Sequence, residues 1–101
     1  DMIKSGGYNV YPREIELCLE SRDDVALAAV IGRPDEKFGE VAVAYVVPQP
    51  GTRPDPECLK AFCRDQLANY KVPKDFVIVD ELPLLPVGKV DKQELRRRAR
   101  A

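Results

Sequence analysis

Val25-Ala26-Leu27-Ala28-Ala29-Val30-Ile31 and Val41-Ala42-Val43-Ala44-Tyr45-Val46-Val47 decide the fold. Each is a continuous apolar run rich in β-branched residues and too short for a helix, so each reads as a buried strand. Pro34-Asp35-Glu36-Lys37-Phe38-Gly39 separates them with turn chemistry. Upstream, Pro12 stands where helix N1 residues stand, and Ile15, Cys18 and Leu19 follow i, i+3, i+4 spacing. That spacing predicts a helix over 12–21, with Glu14, Glu16 and Glu20 turned to solvent. Residues 2–10 read as a hairpin in which Ser5-Gly6-Gly7 turns Met2-Ile3-Lys4 into Tyr8-Asn9-Val10. The paired glycines supply the positive backbone angles of such a turn and allow another chain to approach closely.

Downstream of the second strand, Pro48, Pro50, Pro54 and Pro56 stiffen a surface loop. A second helix follows from Asp55 or Pro56 to Leu67, with Leu59, Phe62, Cys63 and Leu67 on one face. Phe76-Val77-Ile78-Val79 is a third short strand. Leu82 to Lys89, interrupted by Pro83, Pro86 and Gly88, reads as irregular, and a final helix covers 91–99. The fold class is α+β: a small mixed sheet of about three strands flanked by helices, with an N-terminal β-hairpin.

Composition narrows the chemistry. The 101 residues are enough for one small domain, and 45% apolar with 33% charged residues describes a globular chain. There is no His, so imidazole catalysis and His-ligated zinc are excluded; Ser5, Ser21 and Thr52 are the only hydroxyl nucleophiles besides tyrosine. Cys18, Cys58 and Cys63 form no C-x-x-C pair and are odd in number, so they fit neither a disulfide framework nor a metal site. Each is placed on the apolar side of a helix as a reduced thiol, which points to the cytoplasm. No apolar run approaches a membrane span. The chain opens on Asp1 rather than Met, and is expected to be a piece of something longer.

The last ten residues carry Lys92, Arg96, Arg97, Arg98 and Arg100 against Glu94. They read either as a phosphate or nucleic-acid patch or as solvated cations at a helix C-terminus. No aromatic residue interleaves with them and the rest of the chain is acidic, which favours the second reading and no nucleic-acid partner. Gly88-Lys89 is not a phosphate-cradling P-loop, because Pro83 stands where its first glycine belongs and Val90 where its hydroxyl belongs. Lys89 is nonetheless a single cation at the end of a proline-stiffened apolar loop. It reads either as an ordinary exposed lysine or as a group that neutralises charge developing on phosphate or carboxylate oxygens.

Three segments in register carry a family resemblance across essentially the whole chain. They are Lys4-Ser5-Gly6-Gly7-Tyr8-Asn9-Val10-Tyr11-Pro12-Arg13-Glu14-Ile15-Glu16, Pro34-Asp35-Glu36 with Gly39-Glu40, and Tyr70-Lys71-Val72-Pro73-Lys74 followed by Leu82-Pro83 and Gly88-Lys89-Val90-Asp91-Lys92. Together they resemble the C-terminal domain of AMP-forming acyl-CoA synthetases, within the superfamily that includes peptide synthetase adenylation domains and luciferases. The Ser5-Gly6-Gly7 turn is most similar to fatty-acid and aryl-acid CoA ligases. The resemblance implies that residues 1–101 are a mobile domain, inactive alone, whose partner is a large N-terminal domain holding most of the ATP and Mg²⁺ contacts.

The complete enzyme would activate a carboxylic acid to acyl-AMP and pass the acyl group to coenzyme A. Asp1 would border the hinge between the two domains. By resemblance, Lys89 is the catalytic lysine of adenylation, and Gly6 and Gly7 border the pantetheine tunnel. Lys4 matches a lysine of the second half-reaction in luciferase-like members. Tyr70, Lys71 and Lys74 lie where some members stack or pair with the coenzyme A nucleotide, although Tyr70 could equally be core and the lysines solvated. Lys89 also resembles lysines silenced by acetyltransferases, a possible further partner, since acetylation would remove the charge. No metal ligands are expected. A non-catalytic module that docks acidic partners through the basic helix is the alternative, as is the C-terminal part of a peptide synthetase adenylation domain.

Overall fold

The two apolar runs become the longest strands of a computed structural model that describes residues 1–100. In chain order the elements are β1 (Ile3–Ser5), β2 (Tyr8–Val10), α1 (Pro12–Glu20), β3 (Val25–Asp35), β4 (Gly39–Pro48), α2 (Pro56–Gln66), a 3₁₀ turn (Asn69–Lys71), β5 (Asp75–Ile78) and α3 (Lys92–Arg100). β4 is the hub. It pairs antiparallel with β3 along its whole length, Val30 opposite Ala44, and parallel with β5 from Val43–Asp75 to Val46–Ile78. Beyond β5's start, the same edge of β4 takes β1 through Ser5 opposite Gly39.

The mixed sheet is therefore five-stranded, because the N-terminal hairpin joins it instead of standing apart. β3 and β4 also outrun the apolar runs that predict them, pairing through Gly32–Ala42, Arg33–Val41 and Pro34–Glu40 up to the turn. Pro34 has no N–H to give, and β3 is an edge strand, so the proline does not interrupt a ladder.

Alternation along β3 and β4 sends neighbouring side chains into two separate cores. Ala28, Val30, Ala42, Ala44 and Val46 pack with Ile15 and Leu19 of α1 and Leu59 and Cys63 of α2. Ala29, Ile31, Val43 and Tyr45 pack with Leu82 and with Leu95 of α3. Coverage on both faces is why the strands read as unbroken apolar runs. Local chemistry places the helices: Pro12 and Pro56 open α1 and α2, and the Asp55 carboxylate accepts the Glu57 N–H at 3.0 Å. Asp91 does the same for α3, accepting from Glu94 N at 3.1 Å.

Two expectations are corrected. Glu16 is not turned to solvent: it is 5% exposed, and its Oε2 accepts the Val30 N–H at 2.9 Å and lies 2.9 Å from Lys92 Nζ. One turn later Glu20 Oε2 accepts the Ala28 N–H at 3.0 Å. The apolar face of α1 thus ends in two carboxylates that cover the outward amides of edge strand β3, a need that arises only once β3 has no neighbour there. The other correction is Cys58, which is exposed, whereas Cys63 is buried and Cys18 half-buried as expected. Burial pushes the Cys63 thiol up to about 12, so it packs as a small apolar group.

Candidate functional site

Gly6 and Gly7 make the two-residue turn between β1 and β2, with φ of 57° and 86°. Positive φ at both central positions is the turn that matches strand twist, and glycine takes it without strain. Gly6 is also fixed from outside, since its N–H donates to the Phe38 carbonyl at 2.8 Å. A Cβ added there would lie 3.2 Å from the Phe38 ring, whereas one on Gly7 would meet nothing within 4 Å. The turn at Asp35–Phe38 that presents Phe38 is held by the Asp35 carboxylate, which accepts from Lys37 N at 3.1 Å and Phe38 N at 2.9 Å. Chiefly through the Phe38 N–H, with Lys74 adding to it, that carboxyl sits below the usual aspartate range.

These turns enclose a cavity of about 360 Å³ whose walls include Gly6, Tyr8, Phe38, Val41, Tyr70 and Lys74. Tyr8 and Tyr70 stack on each other in its wall, with ring centroids 4.4 Å apart and planes at 22°. Tyr70 is therefore an exposed wall of the cavity and no core residue. Lys74 reaches the rim, its ammonium 3.4 Å from Asp35 Oδ1.

Lys71, Lys4 and Gly7 stand outside the lining. Lys71 ties the 3₁₀ turn to α1 through Glu14 at 3.0 Å, a hydrogen bond that raises the lysine above its usual range. Lys4 has an exposed side chain on β1, and its backbone N–H donates to Glu40 Oε1 at 3.1 Å. Tyr8 is the cavity residue that sequence reasoning passes over; its place directly after the glycine turn is the signal that points to it.

Lys89 belongs to the other side of the sheet. Leu84 bridges Val90, Leu85 N donates to Lys89 O at 2.7 Å, and Gly88 N donates to Leu85 O at 2.8 Å. The segment read as irregular is thus a tight hairpin, with Gly88 at φ 93° closing the turn. Leu82 and Val90 anchor it in the α3-side core, while Lys89 itself is exposed and pairs with no carboxylate among the described residues. The cations of α3 are less free: Arg97 and Arg98 both bond Glu94, and Arg96 lies 3.4 Å from Asp1.

Comparison with known proteins sets these features in a family. The family model described as AMP-binding enzyme C-terminal domain matches residues 14–89. The chain belongs to this family. Among its relatives, a 3-[(3aS,4S,7aS)-7a-methyl-1,5-dioxo-octahydro-1H-inden-4-yl]propanoyl:CoA ligase of Rhodococcus jostii (strain RHA1) is 53% identical over 96 residues, covering 95% of this chain and 19% of the relative. A fatty acid--[acyl-carrier-protein] ligase, ScoC of Streptomyces coeruleorubidus, is 46% identical over 97% of this chain and 19% of its own length. The crystal structure of ATP-bound MatB from Rhodopseudomonas palustris superposes with a TM-score of 0.93 at 40% identity, over 97% of this chain and 20% of that one. This C-terminal domain therefore spans about a fifth of the length of the curated relatives it matches.

No helix of the described residues is long and apolar enough to cross a membrane. Among those residues no group of three or more His, Cys, Asp or Glu side chains converges as a metal site.

Proposed function

We propose that this domain is the mobile part of an ATP-dependent, AMP-forming acid–thiol ligase acting on a fatty or aryl carboxylic acid, with coenzyme A as the thiol. The observation that carries the reading is the division of labour between the faces of the sheet. A lysine with no carboxylate partner among the described residues stands on a hydrogen-bonded hairpin on the α3 side, and a glycine-edged aromatic cavity opens at the hairpin end of the other layer.

Lys89 supplies a fixed ammonium to the carboxylate and α-phosphate oxygens as charge builds on them during acyl-AMP formation. Such a charge is worth most when it is already oriented and the site is dry, and the hairpin provides the orientation. In the second half-reaction the domain presents the Gly6–Gly7 turn, where the absence of side chains leaves room for the pantetheine arm. Tyr70 and Lys74 then face the nucleotide. Lys71 is tied to Glu14 and braces the 3₁₀ turn beside them. Mg²⁺ accompanying ATP is assigned to the N-terminal domain of the enzyme, with most of the ATP contacts.

The full-length enzyme with Lys89→Ala tests this reading. Loss of one preorganised donor costs about 10²–10³ in rate, and that loss is expected in carboxylate-dependent ATP–pyrophosphate exchange. Thioester formation from supplied acyl-adenylate should largely survive. A fall of less than tenfold in exchange would remove Lys89 from the adenylation step.

A further inference from the structure

The hairpin that carries the glycine turn is thinly attached to the sheet. β3 and β4 pair along their whole length, whereas β1 meets β4 at the single pair Ser5–Gly39. Regular antiparallel pairing would continue with Lys4 opposite Glu40, but the ladder stops there. The Lys4 N–H goes to the Glu40 side chain instead, donating to Oε1 at 3.1 Å. It is the one hydrogen bond of that carboxylate among the described residues.

Gly32 leaves the room in which the carboxylate lies. It stands on β3 opposite Ala42, one diagonal step from Glu40 and on the same face of the sheet. Its backbone is outside the left-handed region, so the strand there would admit any residue. Glycine inside a strand weakens it, and marks a place where something else approaches closely. A Cβ on Gly32 would lie 2.7 Å from Glu40 Oε2 and 3.2 Å from Ile3 Cγ1. The carboxylate ends a flexible side chain and would swing clear of such a methyl, letting go of Lys4 as it moved. The turn would then keep only the Ser5–Gly39 pair and the Gly6 N–H on the Phe38 carbonyl at 2.8 Å. Because Ser5, Gly6, Tyr8 and Val10 all belong to the cavity wall, a shift of β1 carries the wall with it.

We propose that Glu40, in the space left by Gly32, is a positioning residue for acyl transfer: it hooks β1 and so sets the Gly6–Gly7 turn at the edge of the cavity. The proposal rests on the reading that this turn serves the second half-reaction. Glu40 acts through the backbone of Lys4 and touches no substrate. Lys89, on the other layer, does not depend on it.

The test follows both half-reactions in the full-length enzyme: acyl transfer to coenzyme A from supplied acyl-adenylate, and carboxylate-dependent ATP–pyrophosphate exchange. Glu40→Ala removes one charge-assisted hydrogen bond, so kcat/KM for transfer should fall about three- to tenfold while exchange stays within about twofold of wild type. Glu40→Gln keeps an oxygen for the Lys4 N–H and should recover most of the loss. Gly32→Ala should reproduce Glu40→Ala, and the double variant should lose little more than either, since both remove the same contact. Deuterium uptake across residues 3–7 should quicken in Glu40→Ala and Gly32→Ala and stay near wild type in Glu40→Gln. Unchanged transfer in Glu40→Ala, equal losses in both half-reactions, or losses that multiply in the double variant would each overturn the proposal and leave the ligase reading intact. If the wild type exchanges pyrophosphate but loads no coenzyme A, the thiol reading itself fails and the positioning role falls with it.

Discussion

The lysine hairpin and the glycine-turn cavity are built on opposite plans. The hairpin is local: Leu84 to Val90 fold back on themselves through one bridge and two hydrogen bonds, and two apolar side chains, Leu82 and Val90, moor it to the α3-side core. The cavity is assembled from distant pieces, the β1–β2 turn, the Asp35–Phe38 turn, the start of β4 and the 3₁₀ turn, so that Tyr8 meets Tyr70 only after the sheet has formed. A local device can change without disturbing the sheet, whereas a composite one reports on the sheet's integrity. The two regions also occupy different layers, so damage to one should be felt in one half-reaction and spare the other.

Lys89→Ala, described above, is the largest expected effect and acts on the hairpin alone. Gly6→Val strikes the cavity. It forces a β-branched residue to φ 57° with its Cβ 3.2 Å from the Phe38 ring, a strain of about 1–2 kcal/mol before the ring moves. Acyl transfer from supplied acyl-adenylate should fall by about tenfold or more while pyrophosphate exchange is unchanged. Equal loss in both assays would break the separation.

Gly88→Ala is the smaller counterpart on the other face. At φ 93° with open space around it, the added methyl meets no atom, and the cost is confined to backbone strain of about 1 kcal/mol. Exchange should drop several-fold and transfer should hold, the reverse of Gly6→Val.

The smallest effect is one of pH. Because the Asp35 carboxyl is depressed by the Phe38 N–H and by Lys74, the order it gives its turn is fully present above the ordinary aspartate value of 3.8 and lost as pH falls through its own lower value. The Phe38 amide resonance should titrate with a midpoint below 3.8. A midpoint at or above that value would mean that the contact does not hold Phe38 in place.

Periodicity and turn chemistry make most of this architecture legible before folding is considered. Pro12, Pro56 and the apolar spacing of Ile15, Leu19, Leu59 and Cys63 place α1 and α2 to within a residue or two of where they lie. What escapes is set by partners remote in sequence. Glu16 looks like a solvent residue because nothing near it shows that Val30 will be left with an outward N–H. Gly32, Arg33 and Pro34 lack strand character of their own and are extended because β4 pairs with them.

The site divides along the same line. Lys89, Gly6 and Gly7 stand out through local turn motifs. Tyr8 is signalled only by its place after the glycine turn, and its partnership with Tyr70 becomes visible only when the fold brings the hairpin and the 3₁₀ turn together.

The carboxylates of α1 have a consequence for the domain as a solution species. A long bare strand is a template onto which a foreign strand can crystallise, the first step toward swapped dimers and fibrils. Here the 11-residue edge strand has its amides at positions 28 and 30 occupied by Glu20 and Glu16, and a proline further along. The sheet's other edge strands, β2 and β5, are only three and four residues long. On the proposed reading, in which the domain moves between two poses, each release from its neighbour would leave passing chains little nucleus for growth.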